Sequence, residues 1–141
     1  MAFLRSVKEA SQGYGSSANN GSVVGTVQVG AGTNTVVIPA TGATTPSGGT
    51  AFNTSGGPPP TRGRGRLKVT ALGGASTTQL TVTATDGSTT ITLFVSPVSA
   101  ANALPDWTFE FNTDINITSI SFLVTFAVSG GTFDCEVSMT P

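Results

Sequence analysis

The sequence predicts an all-β protein, an antiparallel β-sandwich of about eight strands. Three observations lead there. Apolar and polar residues alternate over short runs, the period of a half-buried strand rather than of a helix. The pairs Asp86-Gly87 and Gly130-Gly131 separate such runs and are two-residue turn signals. No segment has the periodicity of a long helix, and 141 residues are enough to bury one core without disulfides or a metal. Jelly-roll and immunoglobulin-like sandwiches both fit, with an extended N-terminal arm over residues 1–21 and a single domain over residues 22–141.

The arm opens with Phe3, Leu4 and Val7, which one or two helical turns would place on one side. Residues 11–22 are mostly Ser, Gly, Asn and Ala with little to bury, so the isolated arm is expected to be disordered. Residues 23–29 and 35–38 flank Gly30-Ala31-Gly32 and read as a first hairpin. A long loop rich in Gly, Pro, Thr and Ser follows over residues 39–61. Alternation resumes over residues 62–72, with Leu67, Val69 and Ala71 on one face and Arg64, Arg66 and Lys68 on the other. Asp86-Gly87 then turns a hairpin in which Leu80 faces Leu93, Val82 faces Ile91 and Ala84 faces Thr89. The other face of that hairpin is a threonine ladder of Thr81, Thr83, Thr90 and Thr92.

Residues 96–105 form a connection with room for a short helical turn. Trp107, Phe109 and Phe111 alternate with Thr108, Glu110 and Asn112 and supply an aromatic core. Apolar parity flips between Ile117 and Ile120, which predicts a bulge or a strand break near Thr118-Ser119. The tightest pattern closes the chain. Ile120, Phe122, Val124, Phe126 and Val128 fall on even numbers, and Phe133, Cys135, Val137 and Met139 on odd ones, with Gly130-Gly131 between. A tight turn there makes a hairpin that sets Phe122 opposite Met139, Val124 opposite Val137, Phe126 opposite Cys135 and Val128 opposite Phe133.

The chemistry legible in the chain is mostly exclusion. Histidine is absent, which removes the commonest general base and the commonest metal ligand. Charged residues are 9% and the net charge is −1, so no long-range field favours nucleic acid or a membrane. Asp86, Asp106, Glu110, Asp114, Asp134 and Glu136 belong to no catalytic motif, and Asp114 with Asn116 lacks the rest of a calcium loop. No catalytic residue, cofactor or metal is therefore assigned. Cys135 reads as a small buried hydrophobe. Glycosylation triplets begin at Asn20, Asn53 and Asn116, as chance allows in a chain so rich in Asn, Ser and Thr. Trp107, Phe109 and Phe111 share one phase of their strand, which favours core packing over a sugar-binding platform. No apolar run approaches the length of a spanning helix and none resembles a signal peptide, so synthesis in the cytoplasm is expected.

One charge feature is concentrated. Arg62, Arg64, Arg66 and Lys68 are four of the six basic residues, and strand alternation projects them from one face. They fit contact with acidic protein or phosphates, or a solvated or edge face that resists wrong pairing. The missing interleaved aromatics and the lack of a basic balance argue against nucleic acid. So low a charge content is a weak defence against self-association, and partners are expected to cover much of the surface.

The polar arm, the Gly56-to-Pro60 loop and the strands ending at Met139 together resemble the small β-rich virion proteins of tailed bacteriophages, most closely the decoration or cement proteins of the head shell. The resemblance implies a non-enzymatic protein on the capsid surface, dimeric or trimeric, that clamps neighbouring copies of the major capsid protein. On the residues themselves, Phe3, Leu4, Val7 and Tyr14 are the arm's anchors, and Arg62, Arg64, Arg66 and Lys68 the strand's partner-binding candidates. A tail, fibre or collar component and a carbohydrate-binding sandwich module are the alternatives.

Overall fold

The structure, a computed structural model, describes residues 19–28, 30–39 and 59–140, with residues 19–28 and 39 described by backbone alone. The expected helical turns, the anchors Phe3, Leu4, Val7 and Tyr14, and most of the 39–61 loop lie outside the described residues. Among the described residues there are eight strands: β1 Asn19–Gln28, β2 Gly32–Pro39, β3 Arg62–Leu72, β4 Thr78–Thr85, β5 Thr90–Val95, β6 Asp106–Asn112, β7 Ser119–Phe126 and β8 Gly131–Thr140. They form two four-stranded antiparallel sheets. Sheet one has the order β1-β8-β3-β6 and sheet two the order β2-β7-β4-β5.

This is jelly-roll topology. Strands pair from the outside inward, β1 with β8, β2 with β7, β3 with β6 and β4 with β5, as in one long hairpin folded over and rolled up. As far as Val23 the β1–β8 ladder has the register of the β2–β7 ladder: Asn19 faces Met139 and Gly32 faces Phe126, so 13 residues forward on one arm match 13 back on the other, and a shift between Val23 and Val27 then changes it. The β4-to-β5 connection alone among these keeps consecutive strands in one sheet.

Two expected hairpins are therefore corrected. Residues 23–28 and 35–38 do not pair with each other, because β1 lies in sheet one and β2 in sheet two. Likewise β7 and β8 do not pair. They form an arch, in which Phe122, Val124 and Phe126 of sheet two point across the core towards the layer of Phe133, Cys135, Val137 and Met139 in sheet one. A change of apolar parity across a turn is what a hairpin requires, but an arch that crosses between facing sheets requires it too. Val128, expected to face Phe133, sits beyond the end of β7 and is 72% exposed.

The central hairpin forms with a different register. Ala84 faces Ile91 rather than Thr89, and Val82 faces Phe94 rather than Ile91. The Asp86 carboxylate explains the longer turn, since its Oδ1 accepts from the backbone N–H groups of Ser88 at 2.8 Å and Thr89 at 2.7 Å. Gly87 supplies the positive φ, at 97°. A register shift between Val82 and Thr83 then leaves Leu93 as the extra residue of β5. The 96–105 connection contains no helix. It turns at Asn102, whose φ is 66°, after running beside β4 with Ser96 N–H bonded to Leu80 O and Ser99 N–H to Thr78 O, each at 2.8 Å.

Between the sheets lies one apolar core. Leu67, Val69, Leu80, Val82, Phe122, Phe126 and Phe133 are buried, and Ile117 is buried just ahead of β7, with the expected break at Thr118. Phe109 and Phe111 are buried as expected, while Trp107 is half-buried against the same cluster. Ala71, expected inside, is exposed because a register shift after Val69 turns it outward. Phe94 stacks on Phe109 with ring centroids 5.3 Å apart and so joins sheet two to sheet one along the β5–β6 edge.

Candidate functional site

With the inner faces consumed by the core, the surface available for function is largely the two outer faces. They differ sharply in charge. On sheet one, β3 carries Arg62, Arg64, Arg66 and Lys68 outward, as the alternation predicted. The strand is not an edge: β8 pairs on one side and β6 on the other, which removes the edge-protection reading. Its neighbours bring carboxylates. Glu110 lies opposite Arg64, Glu136 opposite Arg66, and Asp106 and Asp134 flank Lys68 on either side. Four basic residues thus share the face with four acidic ones.

The compensation is uneven along the strand. Arg66 is engaged diagonally with Asp106, its Nε donating to Oδ1 at 2.8 Å and its Nη2 to Oδ2 at 2.7 Å. That fork holds the Asp106 carboxyl below the usual range and raises the guanidinium further. The pair is over 40% exposed on both sides, so water screens it. Toward the other end, Arg62 donates from Nε to Thr140 Oγ1 at 3.3 Å, and neither Arg62 nor Arg64 makes an ion pair among the described residues. The result is a cationic end at Arg62 and Arg64, accompanied by Glu110, and an anionic end where Arg66 and Lys68 meet Asp106, Asp134 and Glu136. An open groove of about 370 Å³ lies at the cationic end, lined by Arg62, Gly63, Arg64, Glu110, Phe111 and Asn112.

Sheet two presents the opposite chemistry. Reading across its strands, one row is Thr35, Leu123, Thr81 and Val95, and the next is Val37, Ser121, Thr83 and Thr92. The flanking rows add Thr33, Thr125 and Gln79 on one side and Ser119, Thr85 and Thr90 on the other. None of these residues is charged. Thr33 and Thr125 join their hydroxyls at 2.9 Å. The threonine ladder expected for β4 and β5 forms one side of this face, whose full width, which includes β2 and β7, depends on strand order.

Glu110 and Glu136 are separated by β3 rather than adjacent. Among the described residues no three His, Cys, Asp or Glu gather as metal ligands, and Asp114 and Asn116 are both exposed. Cys135 is buried and free, and burial pushes its thiol up to about 12. No helix among the described residues is long and apolar enough to cross a membrane.

No protein-family model and no curated protein matches the chain. Among solved structures it is similar to the N-terminal endo-1,4-β-D-xylanase 10B of Clostridium thermocellum, CBM22-1-GH10 modules complexed with xylohexaose. The identity is 15% and the TM-score 0.39, over 85% of this chain and 28% of that one. The likeness assigns neither ligand nor activity, and the fold rests on the chain's own strand pairing.

Proposed function

We propose that this protein is a non-catalytic structural component that docks as a sandwich body on a larger protein assembly, the outer surface of a tailed-bacteriophage head. The observation that carries the reading is the sorting of charge between two broad outer faces, one cross-compensated and one neutral. Extended faces of this kind suit burial against protein, where charge pattern sets register and wrong partners are repelled. The setting, a phage head, comes from the resemblance of the sequence to decoration proteins.

Arg62 and Arg64 are the docking residues of this reading. Arg66 is already occupied by Asp106, whereas two guanidiniums without ion-pair partners among the described residues, beside an open groove, are matched by carboxylates on the shell, bound in forks. A carbohydrate-binding module would instead present an exposed aromatic platform. The large hydrophobic residues exposed among the described ones are Val37, Val95, Val98, Leu104 and Val128.

The test is co-sedimentation of the full chain with phage heads that lack it. Saturable binding is expected, weakened at least about tenfold by the double variant R62A/R64A, as for truncation of interface anchors. Removing residues 1–18 tests the arm while sparing β1, which begins at Asn19. Lower occupancy is expected. A folded protein that ignores heads but joins tails would make it a tail component, and retention on an insoluble polysaccharide instead would make it a glycan-binding module.

A further inference from the structure

Charge is not merely scarce on the outer face of sheet two; it is excluded from it. Among the described residues, eight of the ten charged side chains lie on the outer face of sheet one, and the other two, Asp86 and Asp114, lie in turns. A four-stranded face left to water has no physical reason to reject Lys and Glu, which are common and soluble choices there. Depletion of charge is instead the compositional mark of the centre of a protein interface. From this we infer that the outer face of sheet two is where two copies of the chain meet, face to face.

The chemistry of the face selects a second copy over another occupant. A hydroxyl both donates and accepts, so a surface of Thr and Ser can satisfy an identical surface, whereas a face of one charge sign repels itself. The side-chain hydroxyls of Thr81, Thr83, Thr92 and Ser121 make no hydrogen bond to other described residues, which leaves them available. Leu123 stands among them, and Val37 and Val95 are 48% and 54% exposed, so apolar area is interspersed with the hydroxyls. A charged partner surface would find hydroxyls here but no counter-ion to offset its lost water.

The size suffices. The rows hold fourteen outward residues, and with strands about 4.8 Å apart and outward residues about 6.8 Å apart along each strand they cover roughly 460 Å² in plan. Two copies thus bury roughly 900 Å² in plan, and side-chain relief raises this towards the roughly 1,000 Å² that a specific interface needs. A face that meets itself is isologous and closes at two chains. The inference stands apart from the head-binding reading, because the charged face of sheet one remains open in the pair.

Sedimentation equilibrium of the full chain, over a wide concentration range, reads the mass directly. A dimer is expected. Thr83→Lys and Leu123→Lys should each raise its dissociation constant at least about tenfold, because each places a charge where the partner offers no counter-ion. Thr108→Lys, on the opposite face, should leave it unchanged. Circular dichroism and the thermal midpoint show whether each variant is folded, with Thr81→Glu as the substitute for one that is not. A monomer throughout, a trimer, or a dimer indifferent to these sheet-two substitutions would overturn the inference. Heads that fail to bind an intact dimer would overturn only the docking reading, while a monomer that binds heads would overturn only this one.

Discussion

At the scale of single residues, two glycines show what alternation hides. Gly63 and Gly65 look like spacers between arginines, yet they occupy the inward phase of β3, opposite Phe111 and Phe109. A Cβ on Gly65 would run into the Phe109 ring, and one on Gly63 into the carbonyl oxygen of Ser138. The Phe109 ring also reaches Phe94 and Phe122, so its place decides how the sheets join. Gly65→Ala should therefore cost about 1–3 kcal/mol by overpacking and lower the thermal midpoint by several degrees. An unchanged midpoint would mean that the ring is not held there. Cys135 makes the second prediction. Burial comes first among the causes of its raised pKa, with Asp134 and Glu136 adding to it, and the thiol reaches about 12. At pH 8 the native chain should react with a thiol reagent only as fast as it opens, and denaturant should accelerate the labelling. Because the folded value exceeds the unfolded one, this group's contribution to stability is intact below the ordinary thiol range and is lost as pH rises towards 12.

At the scale of elements, turns and arches depend on a few polar side chains. Ser76 is buried in the β3–β4 connection, and its Oγ accepts from the N–H of Val128 at 3.0 Å and of Ser129 at 3.4 Å while donating to Thr77 O at 3.2 Å. It fastens the β7–β8 arch, and Gly73 N–H adds a bond to Gly130 O at 2.8 Å. Ser76→Ala should cost about 1–3 kcal/mol by leaving those donors without their partner. Hydrogen exchange should rise first at Val128 and Ser129. The β4–β5 turn has an acid sensitivity of its own. Backbone donors from Thr89 and then Ser88 hold the Asp86 carboxyl below its usual range, as the Arg66 fork does for Asp106. In both cases the folded value is the lower one. The stabilisation is therefore complete above the ordinary carboxylate range and disappears as pH falls through the folded values. Asp86→Asn and Asp106→Asn should each lower the neutral plateau of a stability-against-pH curve towards its acid value and so flatten the acid limb.

At the scale of the molecule, a rolled hairpin means that partners are distant in sequence, with Asn19 beside Met139 and Arg62 beside both Asn112 and Thr140. Loop closure must precede the contacts that reward it, so refolding should take milliseconds to seconds rather than microseconds, and stopped-flow fluorescence of Trp107 reads it. The same topology produces the functional surfaces. Rolling the hairpin places the basic β3 between the acidic faces of β6 and β8, and it lays β2, β7, β4 and β5 side by side as a neutral sheet. Docking through one face and self-association through the other are compatible in a two-sheet body, because the faces look in opposite directions.

Away from bulges and strand ends, such as Ala71 and Val128, period-two alternation determined from the sequence alone which residues face inward, because a strand's side chains alternate whatever it pairs with. Phe109, Phe111, Phe122, Val124, Phe126, Phe133, Cys135, Val137 and Met139 are all buried in that phase, and the all-β class followed directly. Alternation carries no record of the neighbour, however. The same parity flip at Gly130-Gly131 serves a hairpin or an arch, so the partners of β7 and β8 were not legible. Only the tertiary structure decided those pairings, and with them the candidate site. Arg62, Arg64, Arg66 and Lys68 could be placed on one face from their spacing, but Glu110, Glu136, Asp106 and Asp134 became their neighbours only through strand order. The neutral face had a local trace in the threonines of β4 and β5, while its breadth required β7 and β2, which the chain reaches only by crossing the core.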